Sequence, residues 1–140
     1  MNGSCVSRDL WTRTVLLIVL VAWVNAAAVA WAGEPATLEP GADGVQRAAI
    51  TLDSYSYSPD RLIVQAGKPV ELTLTSVTTI TPHNFLIKEL AVEQDVGAGK
   101  TVTVRFTPMQ PGTYLFYCDK KLLFLPSHRE KGMEGRLEVR

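Results

Sequence analysis

Thr101-Val102-Thr103-Val104-Arg105-Phe106, the breaker pair Pro111-Gly112, and then Thr113-Tyr114-Leu115-Phe116-Tyr117-Cys118 decide how this chain is read. In the first run an apolar side chain falls at every second residue, against Thr101, Thr103 and Arg105. That is the pattern of a strand with one face buried and one wet. The second run is an apolar strand, rich in aromatics, that ends on a cysteine. Outward from these two, Ile50-Thr51-Leu52 alternates and Tyr55 and Tyr57 share one face. Arg61 to Gln65 and Val70 to Thr75 are short β-rich runs parted by the turn signal Ala66-Gly67-Lys68-Pro69. Asn84 to Ile87 and Gly135 to Val139 complete the series, with further turn signals at Ser58-Pro59 and Gly97-Ala98-Gly99. Such a run of short strands and turns predicts an all-β, antiparallel β-sandwich of seven or eight strands over residues 48–140. Residues 33–47 are rich in breakers and lack periodicity, so they read as a flexible lead-in. Nothing in 33–140 shows a helical stripe, and there is no internal repeat.

The N-terminus is of a different kind. Arg8 and Arg13 precede an unbroken apolar run of ten residues from Val15 to Val24, and Ala30-Trp31-Ala32 supplies a small-residue cleavage pattern before Gly33. Residues 1–32 therefore read as a signal peptide, which places the mature chain in the periplasm or otherwise outside the cytoplasm. The rival reading is an uncleaved anchor, because Val15 through Ala32 is apolar apart from Asn25. The whole chain of 140 residues carries 14 basic and 14 acidic side chains; setting aside Arg8, Arg13 and Asp9 leaves twelve against thirteen. That balance excludes strong non-specific attraction to nucleic acid and provides no charged patch for a membrane. Gly97-Ala98-Gly99-Lys100-Thr101 has a passing likeness to a phosphate loop, but Gln94 stands where that motif needs glycine and the lysine opens a strand. It reads as a hairpin turn.

Four residues carry the chemistry. His83 lies in Thr81-Pro82-His83-Asn84, Cys118 ends the aromatic strand, and His128 and then Met133 follow. His83 and His128 are the two histidines of the chain, and Cys118 is the one cysteine left once Cys5 is removed with the leader. Taken singly, each has an ordinary reading as a loop histidine, a buried thiol or a core methionine. Together they form one thiolate, two imidazoles and one thioether, all placed where strands end and loops begin. Soft sulfur ligands suit Cu(I) and imidazoles also suit Cu(II), so one such site tolerates both oxidation states; a His2Cys plane with a weak axial Met is the electron-transfer arrangement. Structural zinc sites more often show paired cysteines. A nucleophilic Cys118–His128 pair is conceivable but leaves His83 and Met133 without a role.

Pro111 to Cys118, the later run His128-Arg129-Glu130-Lys131-Gly132-Met133-Glu134-Gly135, and Pro82-His83-Asn84 resemble the plastocyanin-like cupredoxins, the type 1 blue copper proteins, across residues 50–140. The resemblance implies a Greek-key β-sandwich with one type 1 copper at one end, bound by His83, Cys118, His128 and Met133. It further implies that Asn84 supports the site by bonding across to the loop that carries Cys118. Nine residues, Asp119 to Ser127, separate the cysteine from the second histidine. Plastocyanins have a shorter stretch there; copper nitrite reductases are similar in having a long one. Leu122-Leu123-Phe124-Leu125-Pro126 in this loop reads either as packing over the site or as an exposed docking patch. The expected function is a one-electron carrier and not an enzyme, serving a redox donor and acceptor such as a cytochrome or another oxidoreductase. The alternatives are a copper-binding or delivery protein and an accessory copper subunit of a larger redox complex. A monomer is expected, with no nucleic acid partner and no membrane insertion after cleavage.

Overall fold

The computed structural model describes residues 34–140; the expected signal peptide over 1–32 lies outside them. Ten strands are present: β1 (Ala36–Thr37), β2 (Gln46–Asp53), β3 (Ser56–Ser58), β4 (Arg61–Val64), β5 (Val70–Ser76), β6 (His83–Ile87), β7 (Val92–Val96), β8 (Thr101–Phe106), β9 (Gly112–Tyr117) and β10 (Glu134–Val139). One turn of 3-10 helix, Lys88–Leu90, links β6 to β7. The strands form a six-stranded sheet, ordered β1-β4-β10-β9-β6-β7, and a four-stranded sheet, ordered β3-β2-β5-β8. Among the described residues no helix is long and apolar enough to cross a membrane.

Alternation decides which face each strand turns inward. In β5, Val70, Leu72, Leu74 and Ser76 are buried while Glu71, Thr73 and Thr75 lie on the other face, as a period of two requires. Val104 of β8 is buried with Val102 and Phe106 half-buried on its side, while Thr101, Thr103 and Arg105 face outward. Between the sheets Tyr57, Phe85 and Phe116 form an aromatic cluster with ring centroids 5.0–5.9 Å apart. Gly135 lies opposite Phe116 in the register of β10 and β9, and a Cβ there would overlap both the Phe116 ring and the Asp60 carbonyl. The aromatic ring thus occupies the space that the missing side chain leaves.

The all-β sandwich holds, but the strand count and the purely antiparallel pairing do not. β2 runs parallel to β5, and β4 runs parallel to both β10 and β1. These partners are far apart in sequence, and β1 and β3 are too short for a period of two to register. Within 33–47, Ala36–Thr37 pairs with Leu62–Ile63, Leu38 is buried in the core and β2 begins at Gln46. The Gln46 side chain is buried and satisfied, donating to the Gln65 carbonyl at 3.1 Å and accepting from the Gln65 N–H at 2.7 Å. Gly97 to Lys100 is a turn closed by a 3.0 Å bond from the Lys100 N–H to the Gly97 carbonyl. It is not a hairpin, however, since it carries the chain from β7 in one sheet to β8 in the other.

Candidate metal centre

β6 and β9 are antiparallel neighbours, with Leu86 opposite Tyr117. The first residue of β6 and the residue after β9 therefore meet at the same end of the sandwich, and β10 starts there too. This brings His83, Cys118 and His128 together, with donor atoms all within 4.8 Å of one another. Two ligand–metal bonds of about 2.0–2.3 Å each let the donors of one ion stand up to roughly 4–4.6 Å apart, close to this spread. His83 and Cys118 are fully buried, and His128 is 7% exposed. The Cys118 Sγ lies 3.3 Å from His128 Nδ1, and the two imidazole rings are 5.1 Å apart.

Both ring nitrogens of His83 are buried without a hydrogen-bond partner. A buried polar atom left unpaired is costly and rare in folded proteins, so this ring, aimed at a thiol and a second imidazole, is placed for a ligand. Burial, and then the neighbouring His128, push the His83 pKa down; burial, and then Lys131, do the same for His128. Burial raises the Cys118 thiol, partly offset by backbone N–H groups of Asn84 and Lys120. The pocket thus favours neutral imidazoles, the form in which histidine binds a metal.

Met133 is fully buried beside the cluster. Its carbonyl accepts from the Cys118 N–H at 3.1 Å and its N–H donates to the His128 carbonyl at 2.9 Å. Its backbone thereby fastens together the segments bearing Cys118 and His128. Asn84 does as the resemblance implied. Its Nδ2 donates to Asp119 Oδ1 at 2.8 Å, its Oδ1 accepts from the Asp119 N–H at 3.1 Å, and its own N–H points at Cys118 Sγ at 3.4 Å. The Tyr57 hydroxyl donates to the Asn84 carbonyl at 2.6 Å, which fixes the start of β6 from the other sheet. Burial drives the Tyr57 pKa far up, so it stays a donor.

The long loop is a closed tongue. The His128 N–H bonds to the Lys120 carbonyl at 2.8 Å, and Lys120 Nζ is paired with Asp95 at 2.7 Å, so residues 121–127 leave and return at one point. A 2.9 Å bond from the Leu125 N–H to the Leu122 carbonyl turns the tip. Leu123 is 77% and Phe124 92% exposed, with Leu122 and Leu125 exposed as well. The tip of this run therefore lies on the surface. A cavity of about 220 Å³ beside the tongue is lined by Ile80, Pro82, Lys121, Leu122 and His128, among others. Tyr55, absent from the expected site, packs its ring edge-on against His128 at 5.2 Å. It sits in the turn before β3 and is 39% exposed, unlike Tyr57. A turn tyrosine carries no signal of such a contact, because only folding brings the two sheets together there.

A sandwich with a buried cluster of two imidazoles and one thiol at its strand ends is the architecture of a mononuclear soft-metal protein. The chain belongs to the cupredoxin-like domain family, whose model matches residues 14–132. Among solved structures it is similar to the Cu(I)-bound metal-binding domain of the Cu(I)-exporting P-type ATPase CopA of Streptococcus pneumoniae D39, at 22% identity and TM-score 0.60, over 76% of this chain and 96% of that one. It is similar also to reduced auracyanin of Roseiflexus castenholzii, at 22% identity and TM-score 0.56, over 71% and 99%. A chain of a heme-copper terminal oxidase dimer matches at 17% identity and TM-score 0.57, over 94% and 92%. No curated protein matches. The donor set and the unpartnered His83 ring make this cluster a candidate copper site.

Proposed function

We propose that the chain is an exported one-electron carrier holding one copper ion through His83, Cys118 and His128, with Met133 as the weak axial ligand. The observation that carries this reading is the His83 ring, buried with both nitrogens unpaired and its donor atoms within 4.8 Å of those of Cys118 and His128. Bound copper would supply a Cu(I)/Cu(II) couple that a thiolate, thioether and two imidazoles sustain in both states. His83 opens β6 and Cys118 follows β9, and bonds from Asn84 and Met133 tie these to each other and to the His128 segment, so the donors' positions change little between the states. Of the three clustered donors, His128 is the one with surface exposure and lines the cavity beside the tongue. Electrons therefore leave at His128, and Leu123 and Phe124 seat a redox protein over it. Basic and acidic residues nearly cancel around this loop, Lys120, Lys121, Arg129 and Lys131 against Asp119, Glu130 and Glu134, so apolar contact and not charge selects the partner.

The test is an absorption spectrum of copper-loaded protein with and without oxidant. An intense visible thiolate-to-copper band that bleaches reversibly is expected, and Cys118→Ser abolishes it. Met133→Leu keeps the colour and raises the potential, because loss of the thioether favours Cu(I). A colourless oxidised wild type, or an unchanged Cys118→Ser spectrum, rules the reading out.

A further inference from the structure

His128 is the most exposed residue of the cluster and the one on the least regular backbone. Its segment belongs to no strand: it follows the exposed tongue and runs into the turn residues before Met133. Backbone bonds hold its main chain, from its N–H to Lys120 and to its carbonyl from Lys131 and Met133, but these do not fix the rotation of the ring. The ring is held by what lies on its sides. Cys118 Sγ lies 3.3 Å from its Nδ1 and the His83 ring 5.1 Å away; Tyr55 reaches over from the turn between β2 and β3 and meets it edge-on, with the planes at 76°. Tyr55 is itself tethered: Lys131 Nζ donates to its hydroxyl at 3.1 Å and lies 4.4 Å from its ring centroid. Lys131 comes from the same segment as His128, so the tyrosine is gripped between a ligand candidate and a cation three residues beyond it.

We infer that Tyr55, clamped by Lys131, is a positioning residue for His128, and holds the imidazole in its ligating orientation before any metal arrives. The inference rests on the copper reading for its consequence, but the orientation it claims belongs to the metal-free chain. Tyr55 is 39% exposed in a two-residue turn, and its ring and hydroxyl contacts are to His128 and Lys131, so a substitution there acts on that pair. An edge-on aromatic contact favours one approach of the ring over others, and a partner that fixes ligand orientation typically changes metal affinity about 10–100-fold when removed.

The experiment compares Tyr55→Ser, Tyr55→Phe and Lys131→Met with wild type in two measurements. The first is relaxation-dispersion NMR of the His128 ring in metal-free protein, which reads microsecond-to-millisecond exchange. The second is copper affinity by competition with a chelator. Tyr55→Ser is expected to add exchange at His128 and to weaken copper binding roughly tenfold, at the low end of such effects, with the urea midpoint unchanged. Tyr55→Phe keeps the ring contact and is expected to stay within about twofold of wild type, with Lys131→Met between the two. A Tyr55→Ser protein whose His128 ring and copper affinity both match wild type overturns the inference. A wild type that takes up no copper refutes the functional reading instead, and the metal-free relaxation data still decide the role of Tyr55.

Discussion

Replacing Asn84 by alanine removes both halves of its pairing with Asp119 and leaves the β6 backbone in place. One lost bond runs from the amide to a carboxylate at 2.8 Å and the other from the Asp119 N–H at 3.1 Å. A hydrogen bond to a charged group contributes about 1.5–3 kcal/mol and a neutral one about 0.5–1.5 kcal/mol, and together they make about 2–4 kcal/mol of stability in the metal-free protein. With a urea slope of about 1–3 kcal/mol/M, the midpoint falls by on the order of 1–2 M. Copper affinity falls by about 10–100-fold, because the Cys118 loop is no longer tied to the strand that carries His83. The Asn84 N–H to Cys118 Sγ contact is made by the backbone and survives the change, so the visible band persists. Asn84→Asp sets a second carboxylate against Asp119 and should be no better than alanine. Urea melts and chelator competition measure both quantities. Wild-type midpoint and affinity in Asn84→Ala would refute the claim that this pairing holds the site together.

The double change of Leu123 and Phe124 to Ser should slow electron exchange with the native partner while the spectrum stays intact, since both side chains are exposed and the tongue is closed beneath them; stability should move by less than about 0.5 kcal/mol, the usual range for surface changes. A collapsed spectrum would show that the loop supports the copper directly. Gly135→Ala forces a methyl into the Phe116 ring and the Asp60 carbonyl and should cost about 1–3 kcal/mol, as overpacking does. A urea midpoint equal to that of wild type would show that Phe116 can move aside freely.

The sequence alone determined the parts of this protein that depend on local pattern and on chemical identity. Thr101–Phe106 was legible to the residue as a strand, because a period of two needs only the chain itself. The ligand candidates were legible because two histidines, one cysteine and one methionine form an unusual donor set wherever they fall. Position along the chain was enough to place His83 and Cys118 at strand ends, whereas His128 lies in a turn that belongs to no strand. Tertiary structure decided everything that rests on separations of tens of residues. The parallel pairing of β2 with β5, and of β4 with β10, is set by the packing of two sheets and leaves no periodic trace. Ala36–Thr37 is a strand because Leu62 and Ile63 offer it an open edge, although its own composition reads as a loop. Whether Leu122–Leu125 covered the site or left it open was undecidable from an apolar run, since burial depends on whether another surface lies opposite. Here the Lys120–His128 bond closes the loop beneath its tip, and nothing among the described residues covers Phe124. Tyr55 and Tyr57 look alike in sequence, two residues apart. Tyr57 on β3 fills the core and Tyr55 in the turn before it flanks His128, because the turn rotates the chain by an amount that only the folded sandwich fixes.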